Sequence, residues 1–439
     1  MIKQIAALLT TGIFFLTSPS LAFADDETWG TNLVDEPFKE PTPPTMTNPQ
    51  PEEKAPTTEP EYFPPQADES LQDETQQEEN IPPIDPSYHD LPTYEEGETP
   101  PQTSEPPPVE EVEGLEFLVY HQNGVMAFAI IADHEKYLMR PVLARGRVPG
   151  RATVSQMNSP DAIATINASY FGVNGVIYGN TKIDGLTAGT TYFIRSAMGI
   201  KADGSTIFAR QAYRGVLQFN DNEVVINGVN SERNKDTVIV YNGWQGATTG
   251  TNDFGVEVIV RNGVVEYISN GKGNNYIPTD GYVISANGTA AEYFKAVSVG
   301  DAINFEEDYI NVEHGADFNE AIHIIGAGPT LVKDGEIYVT ADAEQFPADI
   351  RVGRAPRSAV GVTKYGDYIF AVVDGRQAHS KGCTLTEWAR ILKNNFGAIE
   401  AINLDGGGST ELFFKGSLIN SPSDGHERLV GDALTILRK

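Results

Sequence analysis

The sequence contains little cysteine and little positive charge, and each shortage excludes a class of protein. Cys383 is the only cysteine, so neither an intramolecular disulfide nor a lipid-modified cysteine near the N-terminus is predicted. There are 61 acidic residues against 31 lysines and arginines, which gives a net charge of −30. The sequence lacks the Lys and Arg clusters that neutralise a phosphate backbone, so nucleic acid is not an expected partner.

The sequence also lacks paired histidines and, beyond its N-terminus, long apolar runs. No run of 18 apolar residues follows residue 24, so no membrane-spanning segment is predicted for the mature chain. The seven histidines form no HxH or HxxxH pair, so a zinc site is not predicted. No twelve-residue calcium-loop pattern occurs either, although Asp, Asn and carbonyl oxygens leave calcium binding open. We therefore predict no cofactor.

The first 24 residues follow the pattern of a secretory signal peptide. Lys3 supplies the cationic start and residues 5–16 are mostly apolar. Ala22-Phe23-Ala24 forms an A-x-A cleavage site. Cleavage after Ala24 predicts an exported protein that is secreted or held in the cell envelope.

Residues 25–113 carry most of the acidity. They contain 25 acidic residues against two lysines, a net of −23, together with 19 of the 28 prolines. Such a segment cannot bury enough apolar surface to offset its ordering entropy, so we predict a disordered linker. Residues 114–439 keep a net charge of −8 and form the expected folded domain.

Residues 114–439 are predicted to form an α+β fold, mostly mixed or antiparallel sheet with a few packed helices. Short apolar segments bounded by Gly, Asn or Asp predict strands at residues 115–120, 125–132, 162–167, 224–226, 237–241, 256–261, 282–285, 368–373, 399–404 and 412–414. Thr384 and Glu387 form a capping box before an apolar stripe that ends at Gly397, which predicts a helix. Residues 290–297 are a second, shorter helix candidate.

Residues 401–410 are the most informative stretch of the chain. An apolar segment ends there in an acid, three glycines and two hydroxyl residues: Asp405, Gly406, Gly407, Gly408, Ser409 and Thr410. Three glycines allow successive backbone N–H groups to approach a ligand, which favours a cradle for phosphate or an oxyanion. A plain glycine turn between two strands is the alternative interpretation.

With these segments placed, seven ordered motifs resemble the phosphodiester glycosidase family across essentially all of residues 115–439. They lie at residues 166–171, 226–230, 327–332, 354–361, 373–376, 380–387 and 403–409. The resemblance implies hydrolysis of a sugar-1-phosphodiester at the anomeric carbon, with release of free sugar and a phosphomonoester. Three positions depart from the family pattern: Cys383 replaces a common Met, Ser169 a frequent Gly, and Glu411 a usually small residue.

Three carboxylates are the candidate catalytic residues. Asp405 is the first choice as nucleophile or general base, and capping of the glycine turn is its alternative role. Asp374 follows a predicted strand and precedes Gly375, so it has the same strand-end position or forms an Asx turn. Glu387 matches an acid of the family motif, but the capping box also explains it, and a helix N-terminus favours its ionised form.

Substrate binding is predicted to depend on arginines, because a phosphodiester is already a good leaving group and needs charge stabilisation more than protonation. Arg357 and Arg376 are the expected phosphate ligands, with surface or salt-bridging roles as the alternative. The other predicted contacts are Gly406, Gly407, Gly408, Ser409, Thr410, Asn167 and Thr384. Tyr170 and Phe171 either stack on a sugar or pack in the core. Cys383, at a helix start, is a weaker hypothesis for a reactive thiol with a lowered pKa.

The sequence thus predicts an exported hydrolase that cleaves the C1–O bond of a sugar-1-phosphodiester in a cell-wall or exopolysaccharide glycan. One alternative is a protein that binds an anionic glycan or wall polymer without turnover. Another is a phosphodiesterase that cuts the P–O bond instead.

Overall fold

The computed structural model describes residues 113–439, apart from Tyr192, His314 and Ala316. The expected signal peptide at 1–24 and the expected linker at 25–113, except Glu113, lie outside the described residues. β-strands predominate in the described part and form four sheets, with few helices. This composition agrees with the predicted α+β fold. None of the described helices has the length and apolar run that a membrane crossing requires.

Two of the four sheets carry the candidate site. Sheet I has seven antiparallel strands, in the spatial order β1 (Leu115–Gln122), β2 (Val125–Ala132), β20 (Tyr368–Val373), β19 (Arg357–Thr363), β21 (Ala398–Asn403), β17 (Thr330–Lys333) and β18 (Glu336–Ile337). Sheet II has five antiparallel strands, in the order β23 (Ser417–Leu418), β22 (Leu412–Phe414), β4 (Ala162–Asn167), β24 (Asp432–Arg438) and β3 (Tyr137–Leu143).

The other two sheets extend the domain. Sheet III has the order β15 (Asn304–Asn311), β8 (Thr206–Phe219), β7 (Arg195–Lys201), β16 (Ala321–Gly326), β5 (Thr181–Ile183) and β6 (Leu186–Gly189), with β9 (Asn222–Val225) paired to β8. Sheet IV has the order β10 (Gly228–Val229), β11 (Val238–Tyr241), β14 (Gly281–Ala286), β12 (Val256–Arg261) and β13 (Val264–Asn270). Strands β10 and β11 pair in parallel.

The described helices are short except for one. The α-helices are α1 (Val154–Met157), α2 (Ala348–Arg351) and α3 (Leu385–Phe396). The 3₁₀ helices span Ala144–Gly146, Gly243–Gln245, Gly288–Phe294, Phe318–Glu320 and Gly407–Ser409. Helix α3 confirms the predicted capping box at Thr384 and Glu387, and it ends at Gly397 in the left-handed conformation.

The second predicted helix is wrong in type and in bounds. Residues 290–297 were expected to be α-helical, but the segment is a 3₁₀ helix at Gly288–Phe294. Its N-terminal residue Asn287 makes no side-chain capping bond, and Gly288 has a φ of +58°. A helix this short gains little from i to i+4 hydrogen bonds, so the tighter turn forms.

Sheet I is covered on both faces, and this explains why strand β19 was not predicted from the sequence. One face packs on sheet II, where Val372 and Ile402 share a hydrophobic cluster with Ile166. The other face packs on α3, mainly against Trp388 and Leu392. Strand β19 is buried along its whole length and contains small residues, so it shows no alternation and was not predicted.

The strand order brings the ends of three strands together at one edge of sheet I. Arg357 at the start of β19 pairs with Val373 at the end of β20, and Ala359 pairs with Asn403 at the end of β21. Because β19 runs antiparallel to both neighbours, it begins where they end. The residues after β20 and β21 therefore flank the first residues of β19. We call this place the strand-end site.

Candidate active site

Asp405 follows β21 by two residues and is fixed through its backbone. Its N–H donates to the carbonyl of Ala168 (2.9 Å), and the Asp405 carbonyl accepts from Asn167 Nδ2 (2.7 Å). The Gly406 N–H donates to carboxylate oxygen Oδ1 (2.9 Å). Burial raises the pKa of Asp405 to about 6, although Ser409, Gly406 and the charge of Arg428 act in the opposite direction. A carboxylate that titrates near neutral pH is suited to proton transfer.

Four of the five backbone N–H groups from Gly406 to Thr410 are engaged within the protein, so the expected cradle of successive unused N–H groups does not form. The Gly406 N–H donates to Asp405, and the Gly407 N–H donates to the carbonyl of Pro356 (2.9 Å). The N–H groups of Ser409 and Thr410 donate to the carbonyls of Gly406 and Gly407 (3.2 and 3.3 Å). These donors are engaged within the protein, so the glycines have another structural role here.

That role is close approach. Gly407 has a φ of +63°, and a Cβ there would lie 3.3 Å from Nη1 of Arg376. A Cβ on Gly408 would overlap the guanidinium of Arg428 and the carboxylate of Asp424. Glycine at both positions lets two arginine side chains lie directly against the loop. The run thus gathers positive charge beside Asp405 through side chains rather than through the backbone.

Arg376 and Arg357 carry charges that no carboxylate neutralises within the described residues. Arg376 is exposed, and none of its nitrogens bonds a protein acceptor in that part of the chain. Arg357 is only 3% exposed, and its Nε and Nη2 donate to the carbonyls of Cys383 and Gly353 (both 3.2 Å). Burial lowers the pKa of Arg357, and the charge of Arg376 acts in the same direction. Two neighbouring guanidiniums of this kind favour an anionic ligand.

Arg428 is a third cation at the loop, and the sequence analysis missed it. Its Nε and Nη2 donate to Oδ2 of Asp424 (2.9 and 2.6 Å), and Nη1 lies 3.5 Å from the Ser409 hydroxyl. Its charge also acts on the pKa of Asp405. Arg428 already has a carboxylate partner, so it holds the loop rather than offering an unpaired charge. It follows the motifs by almost twenty residues, and no local pattern marked it.

Asp374 lies at the end of β20 and pairs with a histidine that was not predicted. Its carboxylate is buried, and His379 Nε2 lies 3.0 Å from Oδ2. The His379 side chain is 42% exposed, so its other ring nitrogen faces outward from the pair. A buried carboxylate that orients an accessible imidazole is the usual arrangement of a general acid or base. The signal that could have found it is the spacing of Asp374 and His379 within one loop.

Asn420 connects the two strand ends. Its Nδ2 donates to the Thr410 carbonyl (2.9 Å) and to Oδ1 of Asp374 (3.3 Å). The N–H of Ser421 also donates to Oδ1 of Asp374 (2.9 Å). The loop that carries Asp374 and the loop that carries Asp405 are therefore held by one shared segment.

Asn167, Ser409 and Thr410 lie at the loop but differ in how far their polar atoms are used. Asn167 Oδ1 accepts from the Ser358 hydroxyl (2.7 Å) and from the Glu411 N–H (3.2 Å). Its side chain is thus engaged in holding the loop. The hydroxyl of Thr410 is buried and has no partner within the described residues. An unpartnered buried hydroxyl in the loop that carries Asp405 favours a bound polar group.

Thr384 and Glu387 form the capping box and are occupied by it. The Thr384 N–H and hydroxyl both donate to Glu387 Oε2 (3.0 and 3.1 Å), and Arg354 Nη2 donates to Oε1. Burial acts to raise the pKa of Glu387, but the bonds from Thr384 and Arg354 outweigh it and hold that pKa below its usual value. An ionised carboxylate with both oxygens engaged has a complete structural role. Its catalytic role stays a prediction.

Tyr170 and Phe171 are partly buried and pack against hydrophobic clusters. The Tyr170 ring lies 5.5 Å from that of Phe346, and its hydroxyl donates to the Gly328 carbonyl (3.0 Å) and accepts from Asn403 Nδ2 (3.0 Å). Burial raises the pKa of Tyr170, and the charge of Asp405 adds to the effect. Phe171 packs against the cluster around Val154 and Phe413.

The residues at this edge fall within a known sequence family. The profile of the phosphodiester glycosidase family matches residues 254–437, which include Asp374, Asp405 and the three arginines of the strand-end site. Residues 254–437 belong to the phosphodiester glycosidase family. The match is shorter than the resemblance in the sequence, since the motifs at 166–171 and 226–230 precede it.

Individual relatives of this phosphodiester glycosidase domain align over parts of the chain. A prophage-derived uncharacterized protein, YomE of Bacillus subtilis (strain 168), is 42% identical over 109 residues, 25% of this chain and 16% of YomE. Mouse (Mus musculus) N-acetylglucosamine-1-phosphodiester alpha-N-acetylglucosaminidase is 28% identical over 177 residues, 38% of this chain and 33% of the enzyme. The alignments therefore span a third or less of each relative's length.

The fold itself occurs in a solved structure. A hypothetical protein from Synechocystis superposes with a TM-score of 0.64 at 24% identity, over 74% of this chain and 62% of the other. At this identity the likeness shows a shared fold alone.

The positions that depart from the family pattern are all buried. Burial raises the pKa of Cys383 to about 12, so the hypothesis of a thiol with a lowered pKa is wrong. Ser169 donates through its N–H and its hydroxyl to Asp432 (both 2.8 Å). Glu411 accepts from the Arg428 N–H (2.7 Å), and burial raises its pKa to about 8. Ser169 and Glu411 thus support the loop from beneath.

One side-chain cluster has the composition of a metal site, but it lies elsewhere. Ligand atoms of Asp133, His134 and Asp367 lie within 4.8 Å of one another. Asp133 follows β2 and Asp367 precedes β20, so the cluster is at the opposite edge of sheet I from the strand-end site. Lys136 Nζ lies 3.6 Å from Asp133, and the Thr363 hydroxyl donates to Asp367 (3.2 Å). Both carboxylates of the cluster thus already interact with other protein groups.

Proposed function

We propose that this chain is an exported phosphodiester glycosidase that hydrolyses the C1–O bond of a sugar-1-phosphodiester. The observation that carries the proposal is that two guanidiniums without a carboxylate partner among the described residues, Arg357 and Arg376, lie at the loop that carries Asp405. The first two supply charge for a phosphate, and the third is a carboxylate whose pKa is about 6. Both kinds of group are needed when an anion leaves from a sugar.

The arginines bind the phosphodiester. Arg376 lies against Gly407. Arg357 directly follows Pro356, whose carbonyl accepts the Gly407 N–H. Both cations are therefore attached to the loop that carries Asp405. As the C1–O bond breaks, negative charge grows on the departing phosphate, and the guanidiniums stabilise that charge.

Asp405 and the Asp374–His379 pair perform the proton transfers. Asp405 takes a proton from water, the water oxygen bonds to C1, and the C1–O bond to phosphate breaks. Protonated His379 gives a proton to the phosphate oxygen that leaves, and Asp374 stabilises the imidazolium before transfer. The products are free sugar and a phosphomonoester. The name of the mouse relative, an N-acetylglucosaminidase acting on a 1-phosphodiester, supports this class of substrate for the present chain.

Hydrolysis in ¹⁸O-labelled water tests the bond that breaks. Full-length protein is incubated with the methyl phosphodiester of N-acetylglucosamine 1-phosphate, and the products are weighed by mass spectrometry. C1–O cleavage places the label in the sugar. Label in the phosphate identifies a P–O phosphodiesterase and overturns the glycosidase assignment. Tight binding of the diester without turnover identifies a binding protein instead.

Export follows from the Lys3, apolar and Ala22-Phe23-Ala24 pattern of the N-terminus. N-terminal sequencing of the protein recovered from the culture medium or the envelope fraction should give Asp25 as the first residue. Recovery of the chain with its first 24 residues in the cytoplasm would contradict export.

A further inference from the structure

Two adjoining cavities lie away from the strand-end site, beside the loops of sheet IV. Their volumes are about 350 and 570 Å³, within the range of small-molecule sites. Four residues line both cavities: Asn174, Val176, Ser231 and Glu232. The shared wall makes them two parts of one groove, which we call the sheet IV groove.

The lining of the sheet IV groove is polar but almost uncharged. Amide and hydroxyl side chains recur along it, from Asn174, Asn227 and Ser231 to Thr249 and Asn252. Among the described residues that line either cavity, only Glu232 and Arg233 are charged. This composition disfavours a polyanion and suits a ligand rich in hydroxyl or amide groups.

Two buried polar atoms at the first cavity have no partner within the described residues. They are Arg233 Nε, a donor, and Gln245 Oε1, an acceptor. The other Arg233 nitrogens are used, since Nη1 donates to the Ser285 hydroxyl (2.9 Å) and Nη2 to the Asn252 carbonyl (3.0 Å). An unsatisfied donor and an unsatisfied acceptor at one cavity match a hydroxyl group, which accepts and donates.

The wall of the first cavity is held rigidly by Glu257. This buried carboxylate accepts from the hydroxyls of Thr249, Thr251 and Ser285 (2.8, 2.6 and 2.9 Å) and from Asn275 Nδ2 (2.7 Å). The segment from 249 to 252 is thereby fixed before any ligand arrives. Preorganised polar groups lose little entropy on binding, which favours a built site over a surface crevice.

A chain of contacts joins the groove to the strand-end site. Phe193 lines the second cavity, and Arg195 lies 4.3 Å over its ring and 4.1 Å over that of Phe346. Phe346 in turn packs on Tyr170. Tyr178, half exposed at the second cavity, donates its N–H to the Tyr170 carbonyl (2.7 Å). The second cavity is therefore connected through packed side chains to Tyr170, whose pKa the charge of Asp405 helps to raise.

We propose that the sheet IV groove binds an uncharged, hydroxyl-rich glycan chain that extends from the phosphodiester at the strand-end site. The proposal rests on the proposed function and adds a substrate class, a glycan several sugars long rather than a single sugar. The arginines of the strand-end site bind the phosphate, and the groove binds the neutral sugars. The exposed ring of Tyr178 offers a face on which a sugar stacks.

Direct binding tests the groove without catalysis. Full-length protein is titrated calorimetrically with N-acetylchitotetraose, maltotetraose and tetragalacturonate. The double variant Glu232→Ala/Gln245→Ala should weaken binding of a neutral tetrasaccharide roughly ten-fold or more, the loss expected for one or two hydrogen bonds. The matched control is Gln218→Ala/Glu306→Ala, which removes one exposed Glu and one half-buried Gln that bond each other (3.2 Å) outside the groove. The control should bind like the parent.

The proposal is overturned if neither neutral probe binds, if tetragalacturonate binds more tightly than both, or if the groove variant binds like the control. Kinetics separate this failure from failure of the proposed function. For a phosphodiester that carries a neutral tetrasaccharide, the groove variant should lower kcat/KM relative to the methyl diester by a similar factor. Hydrolysis of both diesters with an unchanged ratio refutes the groove alone, whereas binding without hydrolysis of either refutes the glycosidase alone.

Discussion

Two strands of sheet I end in the same way and yet create different chemistry. Strand β20 leads to Asp374 and β21 to Asp405, and in both cases glycine follows the acid. The Asp374 carboxylate accepts from Ser421 and Asn420 and pairs with His379. The Asp405 carboxylate accepts from Gly406, and its pKa is raised by burial to about 6.

The difference shows that an Asp-Gly pair at a strand end fixes the position of the carboxylate, whereas the surrounding residues determine its chemical role. Asp374 is surrounded by donors and serves to orient a histidine. At Asp405, desolvation outweighs the hydrogen bonds from Ser409 and Gly406 and the charge of Arg428, so the ionised carboxylate is costly in the folded state and readily accepts a proton. The following predictions test this contrast, in order of decreasing expected effect.

Asp405→Asn should nearly abolish hydrolysis, by a factor of roughly 10³ or more, because the proposed base is lost. The melting temperature should stay the same or rise, since the raised pKa means that the ionised carboxylate opposes folding at neutral pH. Activity and thermal unfolding are measured on the same preparation. A variant that hydrolyses normally would remove Asp405 from catalysis, and one that melts far lower would assign it a structural role.

Asp374→Asn and His379→Ala should each lower kcat by roughly 10²–10³, within the range of general acid or base catalysis. The double variant should lose no more than the worse single variant, because the two side chains act as one unit. Asp374→Asn should also lower the melting temperature, unlike Asp405→Asn, since it disturbs hydrogen bonds to a buried carboxylate. Additive losses in kcat would show that the pair does not act together.

Arg376→Ala should raise KM roughly ten-fold or more, the effect of losing a charge-assisted contact to phosphate. Arg390→Ala, an exposed arginine on α3, is the matched control and should behave like the parent enzyme. Equal effects of the two variants on KM would mean that Arg376 acts only through general charge.

Glu411→Gln should change stability rather than chemistry. Burial raises the pKa of Glu411 to about 8, above its ordinary value of 4.5. The neutral form therefore supports folding, and this contribution is present below about pH 4.5 and lost as pH rises to about 8. The variant should melt like the parent at low pH and progressively higher than it towards pH 8, with no further difference above. A pH-independent difference would contradict a protonated Glu411.

Local sequence signals predicted the parts of the fold that depend on residues close together in the chain. The capping box at Thr384 and the bounds of β2, β4, β12, β20 and β22 were predicted, because each segment carries its own periodicity or turn residues. Strand β19 was missed because both of its faces are buried and its residues are small. The 3₁₀ helix at Gly288–Phe294 was misread because apolar spacing does not distinguish a single short turn from the start of an α-helix.

The candidate site shows the same division between features with a local sequence signal and features set by long-range contacts. The sequence made Asp405 and Asp374 candidates because each follows a predicted strand, and Arg357 and Arg376 candidates because a departing phosphate needs cationic partners. It could not show that the N–H groups of Gly406 and Gly407 are already bonded within the protein, nor that His379 faces Asp374 and that Asn420 bridges the two loops. Those relations are set by contacts between segments far apart in the chain.

The sequence alone determined that Asp374 and Asp405 follow strands and that the chain carries phosphodiester glycosidase motifs, because both are encoded in short stretches. Only the tertiary structure decided that burial raises the pKa of Asp405 and which arginines have no carboxylate partner in the described residues. The physical reason is that desolvation and charge pairing depend on distances between remote segments. The antiparallel order of β20, β19 and β21 sets those distances, because it brings the ends of three strands to one edge of the sheet.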